Sequence, residues 1–203
     1  MRERLAKLAL EVICRTRLDA LAARLVAPRG VIFALHRVKP AERRSFSPNS
    51  PLEVTPEFLE AAIATTRSLG FRFVALDEVP AILAAKSGER FAVITLDDAY
   101  RDNKVFALPV FRRQGTPFTI FVPDQFVDGI GQMWWTELEM AVRAADTLTP
   151  PDGPGAGKLT CRTKAEKYRA FHRIYWHLRT LDEDVARAYV RTACAEAYVD
   201  ASK

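Results

Sequence analysis

The sequence predicts an α/β fold with parallel strands, on three observations. Short continuous apolar runs, VIFAL (31–35), FRFVAL (71–76), FAVI (91–94) and FTIFV (118–122), have the length and composition of strands buried on both faces. Segments of helical periodicity separate them, and such a βαβα rhythm implies parallel strands joined by right-handed crossovers. The third run ends in two adjacent carboxylates, Asp97 and Asp98. In α/β folds the carboxyl ends of strands are where ligands bind and chemistry is done.

Each element has its own signal. Residues 2–26 alternate Arg2, Arg4, Lys7, Arg15, Arg17 and Arg24 with Leu, Ala and Ile, the pattern of an amphipathic helix that stops at Pro28-Arg29-Gly30. Thr55-Pro56-Glu57 reads as an N-cap, a first-turn Pro and a first-turn acid. Leu59, Ile63 and Thr66 continue one face of that helix, and Gly70 closes it. A short helix over 77–86 and a Ser87-Gly88 turn precede the acid-bearing strand, and a helix over 103–114 with Pro109 inside it follows. Beyond Trp134-Trp135 the character changes. Residues 136–146 read as helix, PPDGPGAGK (150–158) as a loop, and 162–200 as one or two amphipathic helices with Tyr168, Phe171, Ile174, Tyr175 and Leu178 on one face. The loop is not a phosphate-binding loop, because Asp152 stands where that motif needs Gly and Leu159 follows Lys158. The organisation expected is an N-terminal helix (1–28), an α/β unit (29–136) and a helical insertion or cap (137–203).

Composition bounds the function. With 49% apolar residues a chain of 203 can build a real core. The net charge of +5 is dispersed, with no basic stripe interleaved with aromatics, so no nucleic-acid partner is expected; it reads as solvated helix faces, with an anionic glycan or phospholipid surface as the alternative. Three cysteines, Cys14, Cys161 and Cys194, form no metal-type pair and suggest reduced thiols in a cytosol-like compartment. Glu11, Arg15 and Arg17 interrupt the N-terminal apolar stretch too soon for a signal peptide or a membrane span. Packing on the domain is the commoner role for such a helix; lying on a membrane surface is the alternative.

Adjacent residues at a strand end project differently, so one carboxylate can hold a metal while the other meets a water. Asp is also a common turn and N-cap residue, and spacing alone leaves both readings open. His36, at the end of the first strand, would face the same rim, lining a pocket or bonding a carboxylate, or would be a satisfied structural His. Trp134 and Trp135 offer flat faces for sugar rings, though Trp pairs are as often core or domain contacts.

ITLDDAYRDN (94–103) resembles the first motif of the NodB-type polysaccharide deacetylases, carbohydrate esterase family 4, usually written T-F-D-D-G-Y. VIFALHRV (31–38) resembles that family's opening strand, TPEFLEAAIATTRSLGFRFVALDEV (55–79) the helix and strand that follow, and QGTPFTIFVPDQFVD (114–128) the strand after the motif. The resemblance implies the N-terminal part of a distorted (β/α) barrel and metal-dependent hydrolytic deacetylation of an N-acetylated polysaccharide or glycoconjugate. It gives Asp97 the role of general base and Asp98 that of ligand to a divalent ion, zinc being the expected one. His36, Tyr100, Trp134 and Trp135 become candidates for contacting the glycan. Two residues depart from the pattern: Ala99 replaces Gly, a steric cost if the turn needs positive φ, and Leu96 replaces Phe.

The family's metal-binding pair, [ST]-H-x-x-x-H, has no counterpart. The only histidines are His36, His172 and His177. The last two are five apart, which sets them about 140° apart around a helix, so both cannot face one ion. The chain alone is therefore expected to be inactive, and a non-catalytic glycan-binding or interaction module is the alternative function. An incomplete barrel would also leave strand edges unpaired and favour self-association.

Overall fold

The computed structural model describes residues 2–16, 29–85, 88–153, 155 and 157–198. Helix α1 is Arg2–Thr16; the remainder of the helix expected up to residue 26 lies outside the described residues. Then come β1 (Gly30–Leu35), β2 (Arg37–Val38), β3 (Glu53–Val54), α2 (Pro56–Ser68), β4 (Arg72–Phe73), α3 (Val79–Ala85) and β5 (Phe91–Leu96). A π-helical turn at Asn103–Ala107 leads into α4 (Leu108–Gln114), followed by β6 (Thr119–Ile120) and α5 (Asp124–Val127). The C-terminal part holds α6 (Trp134–Ala144), an antiparallel pair β7 (Thr147–Leu148) and β8 (Leu159–Thr160), α7 (Lys164–Leu178) and α8 (Glu183–Glu196).

The main sheet is parallel throughout and open, as part of a barrel would be. Strand β5 is its centre and is buried along its whole length. One edge pairs with all of β1, Gly30 against Phe91 through Leu35 against Leu96. The other edge is shared: β4 takes Phe91–Ala92 and β6 takes Thr95–Leu96. This division explains why the runs at 71–76 and 118–122 give only two paired residues each, fewer than expected. Gly30 is required by the first pairing, since a Cβ there would lie 2.2 Å from the Phe91 ring.

Side chains of β5 alternate as a strand demands. Ala92, Ile94 and Leu96 face Leu59, Ile63, Val110 and Phe111 of α2 and α4, whereas Phe91 and Val93 join Val74 and Ile82 on the opposite face. Strand β1 departs from the expectation of burial on both faces. Ile32 is 54% exposed, because no described element covers that face of the strand.

Local chemistry sets the helix ends. Thr55 Oγ1 accepts the Phe58 N–H at 3.1 Å, with Pro56 and Glu57 in the first turn of α2, and Gly70 at φ 82 ends the segment. Burying Leu59 and Ile63 contributes about 1.5–3 kcal/mol each. The helix expected over 103–114 with Pro109 inside it forms as one helical run, in which a π turn passes directly into α4; the wider turn lies immediately before Pro109, which has no N–H to give to the ladder.

A second core, with Leu138, Val142, Phe171, Ile174, Leu178 and Val190, joins α6, α7 and α8. Lys167 Nζ donates to the last carbonyls of α6, those of Val142, Arg143 and Ala145, at 2.6–3.1 Å. Thr163 and Glu166 form a reciprocal capping box on α7. One residue of the α/β half belongs to this helical core. Phe46, between β2 and β3, is 2% exposed and meets Tyr168 and Phe171 edge-on.

Candidate active site

The site grows from the end of β5. The ladder continues one residue past the strand, with Asp97 N donating to Leu35 O at 2.8 Å and Phe121 N to Leu96 O at 2.8 Å. The chain then leaves the sheet through two left-handed residues, Asp98 at φ 65 and Ala99 at φ 49. The turn thus needs positive φ where the resembled motif carries Gly, and Ala99 bears the steric cost. Ala99→Gly is expected to raise stability by about 1 kcal/mol, read as a higher urea midpoint at unchanged slope. An unchanged or lower midpoint would show the turn to be relaxed around Ala.

The two carboxylates face different neighbours. Asp97 Oδ2 lies 3.9 Å from His36 Nε2, both side chains about one-third exposed. That distance allows charge pairing when the imidazole is protonated but is too long for a hydrogen bond. Asp98 lines a cleft of about 270 Å³ together with Asp124, Gln125, Gln132, Trp135 and Arg187. Burial pushes its carboxyl above the usual range; nearby His36 opposes that shift and Asp97 adds to it. Neither carboxylate accepts a hydrogen bond from a described backbone N–H, so neither is used as a cap.

The rest of the motif fixes this corner. Tyr100 is buried, and its hydroxyl accepts the Trp135 indole N–H at 2.9 Å. The Arg37 guanidinium lies 4.7 Å over the Tyr100 ring and pairs with Asp102 at 2.8 Å through Nε. Asp102 also accepts the Val38 N–H, and Asn103 Nδ2 donates to His36 O at 3.1 Å. Tyr100 therefore sits beneath Trp135 as a support. Trp135 stands at the cleft, while Trp134 turns toward the helical core, 5.4 Å from Tyr175.

His172 and His177 take no part. His177 Nδ1 lies 3.2 Å from Asp152, and His172 packs beside Tyr168 and Phe171. Among the described residues, no three His, Cys, Asp or Glu side chains stand close enough to share an ion. Taken alone, these residues do not fit the divalent metal that the resemblance implies. Cys161 and Cys194 are buried free thiols, and burial pushes Cys194 up to about 11, far from a metal-binding thiolate.

Arg187, Glu183, Gln125 and Gln132 are not singled out in the sequence and come to the cleft from α8 and from the β6–α6 connection. Arg187 Nη2 donates to Gln125 Oε1 at 2.5 Å and to Glu183 Oε1 at 2.7 Å, and Arg191 holds Gln132 at 3.1 Å. For Glu183 and Arg187 the sequence signal is polar residues on one face of a C-terminal helix. No helix among the described residues is long and apolar enough to cross a membrane.

No protein-family model and no curated protein matches this chain. Solved structures similar to it include IcaB from Ammonifex degensii, at 25% identity and TM-score 0.38 over 46% of this chain and 37% of that one. The Streptococcus pyogenes deacetylase PplD, solved with acetate, is 18% identical at TM-score 0.42 over 54% of this chain and 50% of its own. The chain thus spans half or less of those two structures. A de-N-acetylase from Aggregatibacter actinomycetemcomitans is 13% identical at TM-score 0.42, over 82% of this chain and 85% of that one.

Proposed function

We propose that this chain carries the acid pair of a hydrolytic de-N-acetylase for N-acetylated glycans. The observation that carries the reading is the divergence of Asp97 and Asp98 at the end of β5, one toward His36, the other into a cleft walled by Trp135. Hydrolysis of an acetamide needs a water to attack the carbonyl carbon, a group to take its proton, and return of a proton to the departing amine. Asp97, partly exposed and committed to no backbone donor, is the base that takes the water's proton and later gives it to the amine nitrogen. The products are acetate and a free amino sugar. Trp135 offers its face to the sugar's C–H surface, held in place by Tyr100.

The described residues do not make a zinc site alone, so the chain by itself is expected to bind zinc well below one equivalent and to release only trace acetate. The test is acetate release from an N-acetylated oligosaccharide with zinc added, at high protein concentration. Asp97→Asn should lower the residual rate by about 10²-fold or more, the usual contribution of a general base. Stoichiometric zinc binding would overturn the expectation of an incomplete ligand set. A glycan that binds without hydrolysis, indifferent to Asp97→Asn and Asp98→Ala, would favour a non-catalytic glycan-binding module. The missing third ligand is what favours that second reading.

A further inference from the structure

Helix α1 carries an apolar face that no described element covers. Leu5 is 59% exposed, Leu8 58%, Val12 49% and Ile13 38%, and Ala9 among them is also exposed. At about 100° per residue these five positions fall on one arc of about 140°. Single apolar side chains in water are ordinary, but four large ones on one side of one helix mark an interaction surface. The charge of the helix indicates the partner. Arg2, Arg4, Lys7 and Arg15 stand against Glu3 and Glu11, four basic residues against two acidic ones in fifteen. Arg15 is exposed and falls about 20° from Leu8, at the border of the apolar arc. There a long basic side chain can keep its charge in a headgroup layer while its stem lies on apolar surface.

We infer that α1 is an interfacial anchor that lies on a bilayer containing anionic lipid, with Leu5, Leu8, Val12 and Ile13 sunk to the acyl boundary. A helix apolar on one side, basic in balance and unable to cross a membrane suits the plane of such a bilayer. The same sequence argues against a helix of a second copy as the partner. Leu5, Leu8 and Val12 follow the 3-4 spacing of a coiled-coil seam, but the next seam position is Arg15, so the seam ends after one heptad. The inference does not depend on the deacetylase reading, and the two are compatible in space. The chain enters the sheet at Gly30, paired with Phe91, whereas the acid pair follows Leu35 and Leu96 at the other end of the same two strands, about 17 Å away. The anchor is thus joined to the end of the sheet remote from Asp97 and Asp98.

The test is co-sedimentation of the full chain with vesicles of phosphatidylcholine alone and of equimolar phosphatidylcholine and phosphatidylglycerol. The partition coefficient should be at least about tenfold higher on the anionic vesicles and should fall severalfold in high salt. Leu8→Ser with Val12→Ser should cut it by about tenfold or more, and Arg15→Glu by about fivefold. The urea midpoint should stay unchanged in both variants, because these side chains are exposed. Equal binding to neutral and anionic vesicles overturns the inference, as does binding that survives the double serine variant. Absence of vesicle binding overturns it outright. A lowered urea midpoint in the double variant would then place the apolar face against the protein's own body, and a dimer dissolved by the same variant would place it against a second copy.

Discussion

Phe46→Ala is expected to destabilise the protein by about 3–5 kcal/mol, the usual range for emptying a buried Phe site. The effect should fall on the junction between the two halves. Phe46 comes from the connection between two strands, yet its ring is 2% exposed inside the helical core, 5.0 Å from Tyr168 and 6.2 Å from Phe171. The backbone around it is tied to the same helices: Ser47 N donates to Tyr168 Oη, Arg143 to Phe46 O, and Asn49 to Glu139. Glu139 is itself buried and bridged by Arg143, so the polar ties hold their geometry only while the ring excludes water. Urea unfolding of Phe46→Ala should show a lower midpoint and a broadened or split transition, as the helical half loosens before the sheet. Phe46→Leu, which refills most of the volume, should recover more than half of the loss. A cost below about 1 kcal/mol would mean that the helical half packs without this plug.

How much of this was legible in the sequence depends on the range of the force involved. Local signals held: Thr55 caps α2, Gly70 ends it, and Leu59, Ile63 and Thr66 are its buried face. The apolar runs correctly gave parallel strands, and the six-residue run at β5 is buried end to end. Strand lengths were not legible, because β4 and β6 compete for one edge of β5, and edge sharing is a tertiary fact. Nor was the exposure of Ile32, since an apolar run does not reveal whether a helix will cover it. At the candidate site, Asp97 and Asp98 could be read from their position at a strand end, and the strain at Ala99 from one departed Gly. Arg187 could not, because it reaches the cleft through the packing of α8 on α6, which no local spacing encodes. Phe46 escaped for the same reason: a lone Phe in a proline-rich loop gives no periodicity from which to infer burial.

Asp102→Ala should cost about 3 kcal/mol and disturb the acid pair without touching it. Asp102, side chain 10% exposed, accepts from Arg37 Nε at 2.8 Å and from Val38 N at 3.4 Å, so it joins the acid-bearing turn to the corner where β1 gives way to β2. Removing it leaves Arg37 half-buried beside Tyr100 with Glu53, 3.8 Å away, as the remaining counter-charge among the described residues. A partly buried cation stripped of its closer partner, together with a lost backbone acceptor, accounts for a penalty of that size. Because His36 immediately precedes Arg37, and its carbonyl is held by Asn103, loosening this corner should also move His36 relative to Asp97. Arg37→Ala should cost about as much, since it leaves the more buried Asp102 carboxylate with the Val38 N–H at 3.4 Å as its donor. The double variant should lose less than the sum of the two single losses, with a coupling of about 1 kcal/mol or more. Additive losses would show that Arg37 and Asp102 stabilise the corner independently. An unshifted His36 imidazole signal in the NMR spectrum of Asp102→Ala would show that the site keeps its shape without this strut.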